Sequence, residues 1–70
     1  MDYALIRRIR DVVTGYDYFI SEVFAEFLKE HFAEMLDGES FVVYFEGQPR
    51  EVYLTNDMQF CLTSVGGYKS

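Results

Sequence analysis

The chain has 70 residues and a mass of 8.2 kDa, which is room for one domain and no more. Half of its residues are hydrophobic and 19% are aromatic, which excludes disorder, while five glycines and one proline exclude collagen-like and low-complexity classes. Six Lys plus Arg against twelve Asp plus Glu give a net charge of −6, which repels a phosphate backbone and argues against direct binding of nucleic acid.

The longest uninterrupted apolar run, residues 41–45, falls far short of the ~20 residues of a membrane-spanning helix. Asp2, Arg7, Arg8 and Arg10 leave no place for the apolar centre of a signal peptide. Cys61 has no second cysteine to pair with, and a small chain without disulfides reads as intracellular, here cytoplasmic. A chain this short hides only about 60% of its unfolded surface. With so many aromatic residues, a partner is expected before any motif is read: a second copy or another protein.

Residues 2–14 read as a helix. With Leu5 at zero and about 100° per residue, Ile6, Ile9, Val12, Val13 and Tyr16 fall within an arc of about 120°, while Arg7, Arg8, Asp11 and Thr14 lie outside it. Gly15 interrupts the pattern, and Asp17 is placed to cap a second helix over residues 18–37, about 30 Å long. Ile20, Phe24, Phe27, Leu28, His31 and Met35 share one face of it, with Val23 and Phe32 alongside. Gly38 stands where a left-handed residue ends a helix, and the short connection at 15–17 folds the two helices into a hairpin.

Beyond Gly38 the period changes from about 3.6 to about 2. Residues 40–46, 50–55 and 59–65 are rich in Val, Phe, Tyr and Thr and read as strands, with turns at 46–49 and 56–57. Phe41, Val43, Phe45, Val52, Leu54, Phe60 and Leu62 form the inward face. Val43 is set opposite Val52, and a three-residue loop ending at Met58 sets Leu54 opposite Phe60. The outer face carries Val42, Tyr44, Tyr53 and Cys61 and is not polar, so a partner is expected to cover it; the plain alternative is that Val and Tyr are common in strands. The expected fold is α+β in the order ααβββ, a helical hairpin packed on a three-stranded antiparallel meander. It forms a single domain over residues 1–70 with a frayed tail at 66–70.

Nothing in the spacing supports catalysis. A Cys61–His31 dyad would need assembly from a strand and a helix together with an orienting group. One His and one Cys are too few for a metal site, and no glycine-rich loop is present to hold phosphate. No catalytic residue, cofactor or metal is expected, and the chain does not read as an enzyme. His31 reads as a hydrogen-bonded residue at the edge of the core with Glu34 in reach, or as a pH-sensitive interface residue.

The strongest feature is electrostatic. Residues 17–46 hold Asp17, Glu22, Glu26, Glu30, Glu34, Asp37, Glu39 and Glu46 against one base, Lys29. Glu22, Glu26, Glu30 and Glu34 recur every four residues, so they wind along the expected helix toward the border of its apolar face. Like charges at this spacing cost a helix roughly 0.2–0.5 kcal/mol per pair. Such a row serves either as a solvated face, since Glu is a good helix former, or as a negative ridge that docks on a basic surface. Grooves that bind nucleic acid are the basic surfaces most available in a cell, and carboxylates could take the place of phosphates there. Glu22, Glu26, Glu30, Glu34, Asp37 and Glu39 are therefore the candidate protein-binding acids, with exposed Tyr44 and Tyr53 as candidate anchors.

In its size, acidity, helices followed by an antiparallel sheet, and lack of a catalytic signature, the chain resembles small phage-encoded inhibitors such as anti-CRISPR proteins and uracil-DNA glycosylase inhibitors. Acidic immunity proteins and antitoxins share this profile. The resemblance implies a cytoplasmic inhibitor (in the host cytoplasm if phage-encoded) that blocks a basic surface of a nucleic-acid-handling protein by mimicking nucleic acid. No functional residue is carried over from these families. The other expectation is a structural, assembly or antitoxin-type protein acting through an apolar homodimer or hetero-interface on the outer sheet face.

Overall fold

The computed structural model describes residues 7–68. Its first element, β1 (Arg8–Asp11), buries Ile9 and Asp11 and exposes Arg8 and Arg10, the two-residue alternation of a strand. A loop at 12–16 returns the chain into β2 (Asp17–Phe19), antiparallel to β1 with Arg8 opposite Phe19 and Arg10 opposite Asp17. Gly15 takes φ +83° in this loop, and its N–H donates to the Asp11 carbonyl at 2.7 Å. The expected helix over 2–14 is thus overturned across residues 8–14, and residues 1–6 lie outside the described residues. Val12, Val13 and Tyr16, expected in its apolar arc, are exposed on the loop. Asp17 caps no helix; it is a β2 residue whose carboxylate accepts the Arg10 Nε–H at 3.0 Å.

Ile20 turns off the sheet into the core, and the Ser21 hydroxyl accepts the Phe24 N–H at 3.1 Å, capping α1 (Glu22–Glu30). The expected single helix over 18–37 is corrected: residues 18–19 belong to β2, 20–21 lead into α1, and the remainder is divided. His31, at φ −104° and ψ 13°, ends α1, and α2 (Phe32–Leu36) follows directly.

The rest of the chain is β3 (Phe41–Phe45), β4 (Gln48–Leu54) and β5 (Phe60–Ser64). These three strands pair in antiparallel fashion, and β5 also pairs parallel to β1 with Arg10 opposite Cys61. The result is one five-stranded mixed sheet in the order β2-β1-β5-β4-β3. The expected helical hairpin on a three-stranded meander is therefore corrected: the elements run ββααβββ, and two short helices cover a larger sheet.

Turn chemistry sets the register of the meander. Glu46 and Gly47 both have positive φ, 54° and 78°, as a two-residue hairpin turn of the primed type requires. That tight turn sets Phe41 opposite Val52 and Val43 opposite Arg50, two residues away from the expected pairing of Val43 with Val52. A slip of two keeps every side chain on its face. The second loop places Met58 at φ 68° and sets Leu54 opposite Phe60, as its three-residue length requires.

The core is built from Ile9, Ile20, Leu28, Phe32, Met35, Val52, Leu54, Phe60 and Leu62, with Phe41, Val43 and Phe45 packed against it. The division at His31 has a packing consequence. Phe24 and Phe27 of α1 meet Phe45 and Phe41 of β3, while Phe32 of α2 meets Phe60 of β5. The helical layer thereby spreads across the inward face. The sheet also curls, so that Tyr18 on one edge strand meets Phe45 on the other, ring centroids 5.2 Å apart in an edge-on arrangement.

Candidate protein-binding surfaces

Glu22, Glu26 and Glu30 lie along α1 and are exposed, a row about 12 Å long at 1.5 Å per residue. Glu34 belongs to α2, so the expected row of four is broken after its third member. Its carboxylate meets Nδ1 of His31 at 2.9 Å. The His31 ring lies half-buried between Phe27 and Phe41, with centroids 4.6 and 4.5 Å away. Asp37 ends α2, and the Glu39 N–H returns to the Glu34 carbonyl at 3.1 Å. All six candidate acids are exposed on the helical layer, where Lys29 is the one lysine or arginine among residues 22–39.

The two candidate tyrosines are elsewhere. Strand alternation places Tyr44 and Tyr53 on the face away from the helices, so the structure does not bring them together with the acids. Tyr44 is 77% exposed. Tyr53 is half-buried and stacks on Tyr68 at 4.6 Å. Cys61, opposite Tyr53 in the next strand, is buried, and burial pushes its thiol above the usual range. The apolar outer face expected from Val42, Tyr44, Tyr53 and Cys61 is therefore open at Val42 and Tyr44 and closed at Cys61.

Glu51 organises this closure. Buried on the outer face, it accepts the Ser40 hydroxyl and the Gly66 N–H, the latter at 2.8 Å. Of the frayed tail expected at 66–70, residues 66–68 turn back over the sheet and Tyr68 reaches Tyr53, while residues 69–70 lie outside the described residues.

Farther along the same face, Arg8 lies 5.2 Å from the centre of the Phe19 ring. Arg8 and Arg10 sit on a strand that helical periodicity hid. The Arg-Ile-Arg-Asp alternation at 8–11 was the available signal.

On the inward side, Asp11 and Arg50 form a buried, two-pronged ion pair. A shallow cleft of about 210 Å³ opens beside it, lined by Thr14, Tyr18, Phe45, Glu46 and Gln48. It is smaller than the roughly 300–1,000 Å³ of ordinary small-molecule sites, and its one cation is already neutralised by Asp11. Among the described residues no group of three or more His, Cys, Asp and Glu is placed to hold a metal ion, and no helix is long and apolar enough to cross a membrane. No protein-family model, curated protein or solved structure matches the chain.

Proposed function

We propose that this protein is a small acidic binding protein that docks its helical layer on a cationic surface of a nucleic-acid-handling protein and blocks that surface. The observation that carries the reading is the segregation of charge. Glu22, Glu26, Glu30, Glu34, Asp37 and Glu39 are exposed on one layer with Lys29, whereas Arg8 and Arg10 occupy the opposite face of the sheet, Arg50 is engaged by Asp11, and Arg7 is exposed just before β1. A one-sided field of this kind orients an encounter with a cationic groove and speeds it. The break at His31 divides the acids between α1, which carries Glu22, Glu26 and Glu30, and the α2 segment, which carries Glu34 and ends at Asp37. Tyr44 and Tyr53 lie on the other face, so the docking rests on the acids.

The test is capture from an extract of the source cells at about 50 and about 500 mM salt, where the screening length falls from well above 10 Å toward 3 Å. It is run beside a variant carrying Glu22→Lys, Glu26→Lys and Glu30→Lys. A captured protein is then titrated with its own nucleic acid. Capture at low salt only, its loss in the variant, and displacement by nucleic acid support the reading. Capture that ignores both salt and charge reversal overturns it.

A further inference from the structure

β3 is an edge strand, paired with β4 along one side. Edges of this kind invite another strand, and proteins guard them with charge, proline, a bulge or short length. The opposite edge has such guards: β2 is three residues long, and its Asp17 is held by Arg10. β3 has none. Its five residues, Phe41 to Phe45, are all apolar or aromatic, and they pair one-to-one with β4 without a bulge. Among the described residues no hydrogen bond beyond the β4 ladder reaches the strand.

Burial tells the same story. Val52, Leu54, Phe60 and Leu62, the inward residues of β4 and β5, are all buried. Phe41, Val43 and Phe45 face the same layer and are only half-buried, while Val42 is 57% exposed. Among the described residues the hydrophobic layer is only partly covered at β3, where Tyr18, Phe24 and Phe27 reach Phe45 and Phe41.

We infer that β3 pairs with β3 of a second copy, antiparallel about a two-fold axis through Val43, joining two five-stranded sheets into one. The strand is complementary to itself in that register. Val43 meets Val43, Phe41 meets Phe45, and Val42 meets Tyr44, giving aromatic and β-branched cross-strand pairs. A two-fold axis normal to the sheet preserves its faces, so inward residues of both copies stay on the helical side. The segment contains no charge, so no like charges oppose one another across the seam. Both helical layers then lie on one side, and their acids repel at a distance. Dimerisation therefore tightens as salt rises, the opposite of docking on a cationic partner, so failure of one reading is distinguishable from failure of the other.

The test is sedimentation of the whole chain at low and high salt across a range of protein concentrations. The wild type is expected at twice the 8.2 kDa chain mass, with the dimer favoured at high salt. Val42→Lys with Tyr44→Lys sets like charges directly across the seam and abolishes the dimer. Val42→Lys with Tyr44→Glu sets opposite charges there and retains it. Hydrogen exchange of the wild-type β3 amides, slowing as concentration rises, gives a readout that needs no variant. A wild type that stays monomeric throughout overturns the proposal. So does a dimer that both variants leave intact, or one that both variants abolish equally while still folded.

Discussion

Arg50 grips Asp11 across an intervening strand: Nη1 donates to Oδ2 at 3.0 Å and Nη2 to Oδ1 at 2.5 Å, between residues 39 positions apart in the chain. Asp11 is 2% exposed. Arg50 also donates through Nε to the Thr63 carbonyl of β5 at 3.2 Å, so one side chain ties β1, β5 and β4 together. This pair helps fasten the N-terminal hairpin to the meander, where the two expected helices left no place for it.

Removing one partner should be worse than removing both. Arg50→Met leaves a buried carboxylate unpaired, at a cost of about 3–5 kcal/mol. A single core of this size supplies only about 3–5 kcal/mol net, so the variant should be largely unfolded. Asp11→Leu with Arg50→Met removes both charges and should recover much of the loss. Urea titration followed by circular dichroism decides it. A single variant as stable as the wild type would show that the pair contributes nothing.

The same pair sets an acid limb. Hydrogen bonding from Arg50 holds the Asp11 carboxyl below its usual range, against the opposing effect of burial. Because the folded value is depressed, the stabilisation is complete above the unfolded value of about 4 and disappears as pH falls through the folded one. Arg50→Lys keeps the charge but loses the planar fork, so the carboxyl should be less depressed. That variant should start less stable at pH 7 and lose less between neutral pH and about pH 2. Equal losses in the two proteins would place the acid sensitivity elsewhere.

The first turn of the meander is open to improvement. Glu46 adopts φ 54° at a position where Asn is better tolerated. Glu46→Asn should stabilise by a few tenths to about 1 kcal/mol, a rise of a few degrees in melting temperature for a domain of this size. Gly47→Ala, at φ 78°, should destabilise by about 1 kcal/mol. Thermal melts of both variants test the pair of signs, and a stabilising Gly47→Ala would contradict the turn assignment.

Cys61 reports on the closed end of the outer face. Its thiol is buried and its pKa raised, so it should react slowly with a thiol reagent at neutral pH. Tyr68→Ala removes the ring stacked on Tyr53, and Glu51→Ala releases both Ser40 and Gly66. Either change should speed the reaction several-fold, about tenfold if local opening becomes easier by some 1.4 kcal/mol. Unchanged rates in both variants would mean that residues 66–68 do not shield the thiol.

The sequence alone determined the inward face of the meander and the exposure of the acids. Phe41, Val43, Phe45, Val52, Leu54, Phe60 and Leu62 all reach the core, because period-two alternation is local and survives a register slip of two. The apolar residues of the helical stretch, Leu28, Phe32 and Met35 among them, reach it as well, although helical periodicity did not reveal the break at His31. Residues 8–19 were decided by tertiary structure. Ile9, Val12, Val13 and Tyr16 carry a helical spacing, yet β1 is held by a parallel neighbour about fifty positions away and by a buried ion pair that no local window contains. Strand alternation, by contrast, placed Tyr44 and Tyr53 on the face away from the helices, where the structure has them. Periodicity is written into the order of neighbouring residues, whereas a strand partner or a salt bridge lowers the free energy only once distant segments have met.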